Sequence, residues 1–402
     1  MSNGRINKTV ILGGGTAGWM TAAALGRILG KVTQIELVES DAISTVGVGE
    51  STIPQIKRMN RLLDIDEATF LRRTKSTVKL GIEFNDWGAI GDRYLHALGK
   101  IGIDHDAVPF IQYFLRHRKT HSDASYWDYC FHDHASLAKR FKPVEKIEGT
   151  PLVGLSYAYH FDAGLYAMLL REIAEKDGVK RTEGRVTSVQ QDSDSGDIKS
   201  LTLESGQVIE GDLFIDCSGF RSLLLHQTLK EPWEDWSDWL IMDSAVTVGS
   251  ERLPDMPPFT RASAQKAGWQ WRIPLQHRTG NGHVYSSAHM SDDEATAIFL
   301  ANLETAPIGD PRTIKFKTGR YRNPFAKNVV AIGLATGFVE PLEATSIHMI
   351  QSDVSRLIDL FPASGVSDAE RGEYNAQNRI ETEHVRDFII LHYKLTTRDD
   401  TP

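Results

Sequence analysis

Cysteine is nearly missing from the 402-residue chain: Cys130 and Cys217 are the only two, and neither has a second Cys or a close His at metal-ligand spacing. A disulfide framework and a structural zinc site are therefore not expected, and no metal site is assigned. Long charged blocks are also lacking. Lys and Arg number 45 against 53 Asp and Glu, a formal net charge of -8 with no extended basic run. That balance argues against nucleic acid or an anionic membrane surface as partner. No apolar stretch nears the ~18 residues that span a bilayer. The start, Met1-Ser2-Asn3-Gly4-Arg5, does not have the charged, apolar and small-residue order of a signal peptide. The expectation is a cytoplasmic protein. Neither an internal repeat nor a low-complexity tract is found. Hydrophobic residues at 41% and charged residues at 24% exclude wholesale disorder. At roughly 150 residues per domain, the length fits one large enzyme fold or two to three joined lobes.

What is present begins with Lys8-Thr9-Val10-Ile11-Leu12, a β-branched, apolar run that passes into Gly13-Gly14-Gly15-Thr16-Ala17-Gly18 and then a helical pattern from Trp19 to about Leu29. A second strand, Thr33 to Val38, ends in Glu39, about twenty residues after Gly18. In Gly13-x-Gly15-x-x-Gly18 the first glycine permits a tight turn, the second lets backbone N–H groups approach a pyrophosphate, and the third allows close helix-to-strand packing. Thr16 and Ala17 share that turn. Glu39 suits a ribose hydroxyl, and an acid here in place of arginine favours FAD or NAD over NADP. Two more polar glycine turns, Gly47-Val48-Gly49-Glu50-Ser51-Thr52 and Asp216-Cys217-Ser218-Gly219-Phe220-Arg221, fit a long cofactor touched from several lobes, as FAD is.

Further along, Asp162 to Lys176 reads as an amphipathic helix. Val186 to Val189, Ser200 to Leu203 and Leu213 to Asp216 read as strands, with a hairpin turn at Ser193 to Asp197. Asn328 to Gly333 repeats the strand-then-glycine grammar before a helix from about Ile347. One nucleotide-binding sheet assembled from distant segments is expected, with approximate bounds 5–55, 155–225 and 325–360. The substrate lobe then comes from 75–150 and 226–324, with C-terminal helices over 347–402.

Four stretches together resemble the flavin-dependent tryptophan halogenase family. They are Gly13 to Gly18, Lys79 within Val78-Lys79-Leu80-Gly81, Trp269-x-Trp271-x-Ile273-Pro274, and Phe338-Val339-Glu340-Pro341-Leu342-Glu343-Ala344-Thr345. The resemblance runs from residue 8 to the chain's end. The late turn Gly333-Leu334-Ala335 lacks the Gly-Asp pair usual in flavin hydroxylases. The resemblance implies an α/β fold: an FAD-binding Rossmann-like sheet of the GR2 type, as in flavin monooxygenases, with an inserted substrate-binding lobe. It implies an FADH2-dependent enzyme that uses O2 and chloride or bromide to make hypohalous acid, which halogenates an indole-type aromatic. FADH2 would come from a separate reductase, since only one dinucleotide fingerprint is visible. A homodimer is compatible. The alternatives are a flavin-dependent aromatic hydroxylase and a flavin-binding protein without turnover.

Read from residues alone, Lys79 is a surface charge beside Arg72, Arg73 and Lys75, and Trp269 and Trp271 are core packing on one face of a strand. The resemblance makes Lys79 the lysine that receives hypohalous acid, as a hydrogen-bond donor or as an amine forming a haloamine. It makes the two tryptophans, with Ile273 and Pro274, a wall between flavin and substrate. Glu343, rather than Glu340, matches the glutamate that activates the electrophile or takes the ring proton. The family's halide pocket is formed by a Ser-Thr-Gly segment, here Ala344-Thr345-Ser346, so Thr345 and Ser346 are the halide candidates. His96-Ala97-Leu98-Gly99 resembles a segment stacking on indole, with Leu98 in place of an aromatic. Arg386 to Tyr393 resembles an internal segment of family members, whose later helices fix free tryptophan. The expectation is either a compact member with an open pocket or a shortened chain.

Overall fold

The computed structural model describes residues 5–43, 49–150 and 152–400; Gly47 and Val48 of the second glycine turn lie outside them. Lys8–Leu12 lies inside a six-stranded sheet, hydrogen-bonded in parallel to Gln34–Glu39 on one side and Leu213–Asp216 on the other. A strand buried on both faces needs a continuous apolar run, which is why Val10, Ile11 and Leu12 show no alternation. Val329–Ala331 with Phe325–Ala326 completes one edge and Lys180–Glu183 the other. Only the Phe325–Ala326 pairing is antiparallel.

The first helix, Thr16–Leu29, starts earlier than the apolar periodicity suggests. Gly15 is its N-cap in an extended conformation with no side-chain cap, so the first-turn N–H groups remain available to an external acceptor. The expected helix after Asp162 is Ala163–Lys176, and Asp162 caps it by accepting from the Leu165 amide at 3.1 Å. The two helices pack together, and Gly26 lets the segment just after the second one come close: a Cβ there would sit 2.8 Å from Val179. The expected hairpin at Ser193 to Asp197 joins the antiparallel strands Val186–Gln191 and Ile198–Leu203.

A second, seven-stranded sheet runs in the order Pro307–Lys315, Ser244–Ser250, Thr279–Tyr285, Gly268–Pro274, Phe259–Gln265, Gly81–Asn85, Arg93–Ala97. Only the Phe259–Gln265 pairing with Gly81–Asn85 is parallel. Period-two alternation gives it two faces. One buries Phe84, Ala262, Trp269 and Val284 beneath Leu342, Ala344 and Ile389. The other packs Val246 and Val248 against Ala295 and Phe299 of the helix Asp292–Ala301. A small sheet of Glu50–Ser51, Ala158–Phe161 and Thr77–Lys79 lies beside the two large ones. The C-terminal helix Asp368–Lys394 opens with a capping box between Ser367 and Glu370. Among the described residues, no helix is long and apolar enough to cross a membrane.

Candidate active site

The glycine turn is shaped by contacts that no side chain would permit. Gly13 takes φ +116, where a Cβ would collide with the Cys217 carbonyl, and a Cβ on Gly18 would collide with the Gly13 carbonyl. Glu39 ends its strand beside this turn, with its carboxylate against Gly14. It accepts from Arg181 Nε at 2.6 Å and from Trp19 Nε1 at 3.3 Å. The third segment arrives at the same place: Gly333, at φ +71, would bring a Cβ to 3.0 Å from Ala17, which sets Leu334 next to the helix N-terminus. A parallel sheet, uncapped helix N–H groups and an acid beside the turn fit the pyrophosphate and ribose of a dinucleotide.

Two residues expected to touch the cofactor have their side chains occupied elsewhere. Asp216 is fully buried, and its carboxylate accepts from the Ser218 amide and hydroxyl and from the Leu224 and Leu225 amides at 2.6–3.0 Å. It shapes the turn instead of facing a ligand, because four donors already use its oxygens. Ser51 meets Thr260 Oγ1 at 2.7 Å, and Thr260 meets His160 Nε2 at 3.0 Å, so the Ser51 hydroxyl points into the protein. Gly49 sits against the end of the Gly268–Pro274 strand, where a Cβ would come to 3.4 Å from Leu275. Glu50 and Ser51 pair with Ala158–Phe161, whose other edge carries Lys79.

Lys79 is not the surface charge its basic neighbours suggest. Its side chain is among the largest fully buried in the protein, and Nζ donates to the Thr52 carbonyl at 2.9 Å. Burial pushes the amine down to about 7, against a smaller upward pull from the charge of Glu343.

Glu343, 5% exposed, is gripped from two sides: His96 Nδ1 is 2.7 Å from Oε2, and His392 Nε2 is 2.7 Å from Oε1. Burial pushes the carboxyl up, but the bonds from His392 and His96 outweigh it and hold it below the ordinary carboxylate range. His96 is on the edge strand Arg93–Ala97 with a 44% exposed side chain, and His392 is on the C-terminal helix. Glu340 behaves differently. Its Oε2 accepts from Trp269 Nε1 and from the Tyr393 hydroxyl, each at 2.6 Å. Burial pushes its carboxyl up to about 6. Glu340 ties the tryptophan wall to the C-terminal helix, whereas Glu343 is held with its charge intact.

The tryptophan rings sit on one face of their strand with centroids 6.0 Å apart. Trp271 lies over Gly282, where any Cβ would enter its ring. Ile273 is buried, and the Pro274 carbonyl accepts from Thr77 at 2.6 Å, two residues before Lys79. Thr345 caps the helix Ser346–Asp359 without a side-chain cap bond, so the amides following it form an open helix N-terminus beside Glu343. Ala344 reaches this geometry at φ 57, unusual for a residue with a Cβ. Near His96, a cavity of about 360 Å³ is lined by Tyr94, Phe114, Tyr126, Trp127, Arg93 and Arg118. Among the described residues, no group of three or more His, Cys, Asp or Glu is placed to hold a metal.

Sequence reasoning missed His392 and Tyr393 as contributors here. Their contacts cross some fifty residues of chain, and no local spacing signals them.

A family model described as tryptophan halogenase matches residues 8–402. RebH of Lentzea aerocolonigenes, a tryptophan 7-halogenase, is 35% identical over 100% of this chain and 78% of its own length. Xcc4156, a flavin-dependent halogenase from Xanthomonas campestris, superposes with a TM-score of 0.93 at 47% identity, covering 99% of this chain and 79% of that one. BrvH, a flavin-dependent halogenase from Brevundimonas sp. BAL3, gives 0.94 at 44%, covering 99% and 80%.

Proposed function

The chain belongs to the tryptophan halogenase family, and from that premise we propose that it halogenates an indole-type aromatic with Lys79 and Glu343 as its catalytic residues. The balanced reaction takes FADH2, O2, a halide ion, a proton and the arene to FAD, two waters and the haloarene. FADH2 comes from a separate reductase; bound at the glycine turn, it supplies the O2 activation that oxidises halide to hypohalous acid.

The chain's own residues account for the rest. Gly13, Gly15, Thr16, Ala17 and Gly18 present backbone to the pyrophosphate, Glu39 takes a ribose, and Gly49, Glu50 and Leu334 border the cofactor. The helix N-terminus at Thr345 and Ser346 offers amides to the halide. Trp269 and Trp271 keep arene and cofactor apart, which favours halogenation over hydroxylation. Lys79 receives the hypohalous acid either as ammonium, polarising its oxygen, or as amine, forming a haloamine and water; its depressed pKa provides both forms. The arene attacks the halogen, and Glu343, held ionised by two imidazoles, takes the ring proton. His96 borders the arene, with the aromatic-lined cavity beside Tyr94 receiving the remainder of the substrate.

The observation that supports this reading is the fully buried Lys79, close enough to feel the charge of Glu343, together with a buried glutamate met by His96 and His392. Glu343→Gln tests it. Loss of a positioned base is expected to cut haloarene formation by roughly 100-fold or more, with FAD affinity and halide-dependent O2 uptake retained. Undiminished product would remove Glu343 from the chemistry.

A further inference from the structure

A chain of side-chain hydrogen bonds runs through the protein from the second glycine turn to the strand of Lys79, and each of its links has a forced direction. Thr77 Oγ1 lies 2.6 Å from the Pro274 carbonyl oxygen and 2.9 Å from His160 Nδ1. A carbonyl only accepts, so the single hydroxyl hydrogen of Thr77 goes to Pro274, and Nδ1 must donate to Thr77. On the other side of the ring, Nε2 lies 3.0 Å from Thr260 Oγ1, which is 2.7 Å from Ser51 Oγ. In a neutral ring Nε2 then offers a lone pair: Thr260 donates to it, and Ser51 donates to Thr260. The chain reads Ser51 to Thr260 to His160 to Thr77 to Pro274, with one hydrogen in each link.

The surroundings keep the ring neutral. His160 is fully buried, and both of its nitrogens meet hydroxyls, not carboxylates. A buried imidazolium without a counter-charge is costly. The charged groups that act on the ring are Lys79 and Arg272, both cations, so they add to that cost. Burial first, and these two charges after it, hold the ring well below the ordinary 6.5.

The ends of the chain bracket the lysine. Thr77 opens the strand Thr77–Lys79 and pairs with His160 in the ladder. Ser51 immediately precedes Thr52, whose carbonyl accepts from Lys79 Nζ at 2.9 Å. One imidazole thus links the strand that carries the lysine to the segment that carries its acceptor, and Pro274 ties both to the end of the tryptophan strand Gly268–Pro274.

We infer that His160 is a positioning residue: as a neutral ring with its hydrogen on Nδ1, it fixes Lys79 Nζ against Thr52 so that the halogen is delivered to one ring carbon. The inference rests on Lys79 being the residue that receives hypohalous acid in the proposed halogenation. His160 acts through Thr77 and Thr260, at a distance from the transfer itself.

Nitrogen-15 NMR of the full chain, with FAD bound and histidine rings labelled, tests the tautomer. The His160 signals are those lost in His160→Gln or, where that variant does not fold, those that move in Thr77→Ser. From pH 5.5 to 8.5 Nδ1 is expected to carry a hydrogen and Nε2 none. A hydrogen on Nε2 at pH 7.5 overturns the inference. Turnover of indole with reduced FAD, O2 and bromide tests the positioning. Thr77→Val keeps the side chain's shape and removes its hydroxyl. It should lower kcat at least tenfold and divide the product among regioisomers, with FAD affinity and halide-dependent O2 uptake within a few-fold of wild type. Thr77→Ser, which restores the hydroxyl, should return a single regioisomer. A link that serves stability alone would lower the thermal midpoint of Thr77→Val and leave kcat and the product pattern unchanged, and that result also overturns the inference. A wild-type protein that makes no haloarene refutes the halogenase reading itself, whereas one regioisomer made equally well by wild type and Thr77→Val refutes the positioning role alone.

Discussion

Replacing Lys79 with methionine should make the protein more stable while destroying its output. Lys79 is fully buried and, among the described residues, makes one hydrogen bond, to the Thr52 carbonyl. Its amine is depressed from 10.5 to about 7, which means the fold carries a penalty for the ammonium of roughly 4–5 kcal/mol at and below neutral pH. The sign follows from proton counting. Between pH 7 and 10.5 the unfolded lysine binds a proton that the folded one has released, so wild-type stability rises with pH across that window. Below 7 the penalty is constant and complete. Methionine has similar length and no charge. It forfeits about 1 kcal/mol for the lost hydrogen bond and leaves a carbonyl to be satisfied. A net gain of roughly 2–3 kcal/mol is expected at pH 6.5, or about 2–4 °C in Tm for a chain of this size. The gain should shrink steadily as pH approaches 10. Scanning calorimetry of both proteins from pH 6 to 10 measures it. In the same preparation, the yield of the single regioselective haloarene should fall roughly 100-fold or more, because free hypohalous acid lacks a fixed position over one ring carbon, while halide-dependent O2 uptake continues. A lower Tm for Lys79→Met at pH 6.5, or a gain independent of pH, would refute the buried, depressed lysine on which the mechanism depends.

Gly15→Val should leave the protein folded and abolish FAD retention: Gly15 has φ -75 and ψ -173, which valine adopts freely, so its side chain blocks the pyrophosphate without straining the turn. Fluorescence titration with FAD checks this. Ala344→Gly should raise stability by about 0.5–1 kcal/mol by relieving the left-handed backbone at φ 57, read from the thermal midpoint. Glu340→Ala, which strands the Trp269 and Tyr393 donors, should cost roughly 2–4 kcal/mol, seen in denaturant midpoint. Bromide should be used at least as readily as chloride, given the Cβ of Ser346 in the halide segment and the easier oxidation of bromide; competition at equal concentrations checks it, with mainly chlorinated product counting against it.

What the sequence revealed was the local part of this architecture. The strand Lys8–Leu12, the glycine turn and the helix after it are written in consecutive residues, and each obeys a backbone rule that needs no distant partner. The shared face of Trp269 and Trp271 likewise follows from strand periodicity. Features built by tertiary contact were not legible. Lys79 sits among Arg72, Arg73 and Lys75, and nothing in that stretch distinguishes the buried lysine from its exposed neighbours; only resemblance singled it out. Asp216 and Ser51 were drawn toward the cofactor by their polar context, yet buried backbone amides and Thr260 use them. His392 reaches Glu343 from a separate helix, and that ion-pair contact exists only once the helix has docked.

The central claim is that a halogen, not an oxygen atom, reaches the ring. Mass spectrometry of the products formed from indole by the wild-type protein, with reduced FAD, O2 and bromide, tests it most directly. The account predicts a product carrying the bromine isotope doublet, dependent on bromide and formed as a single regioisomer that Lys79→Met no longer favours. A product heavier by one oxygen and formed without bromide would contradict it.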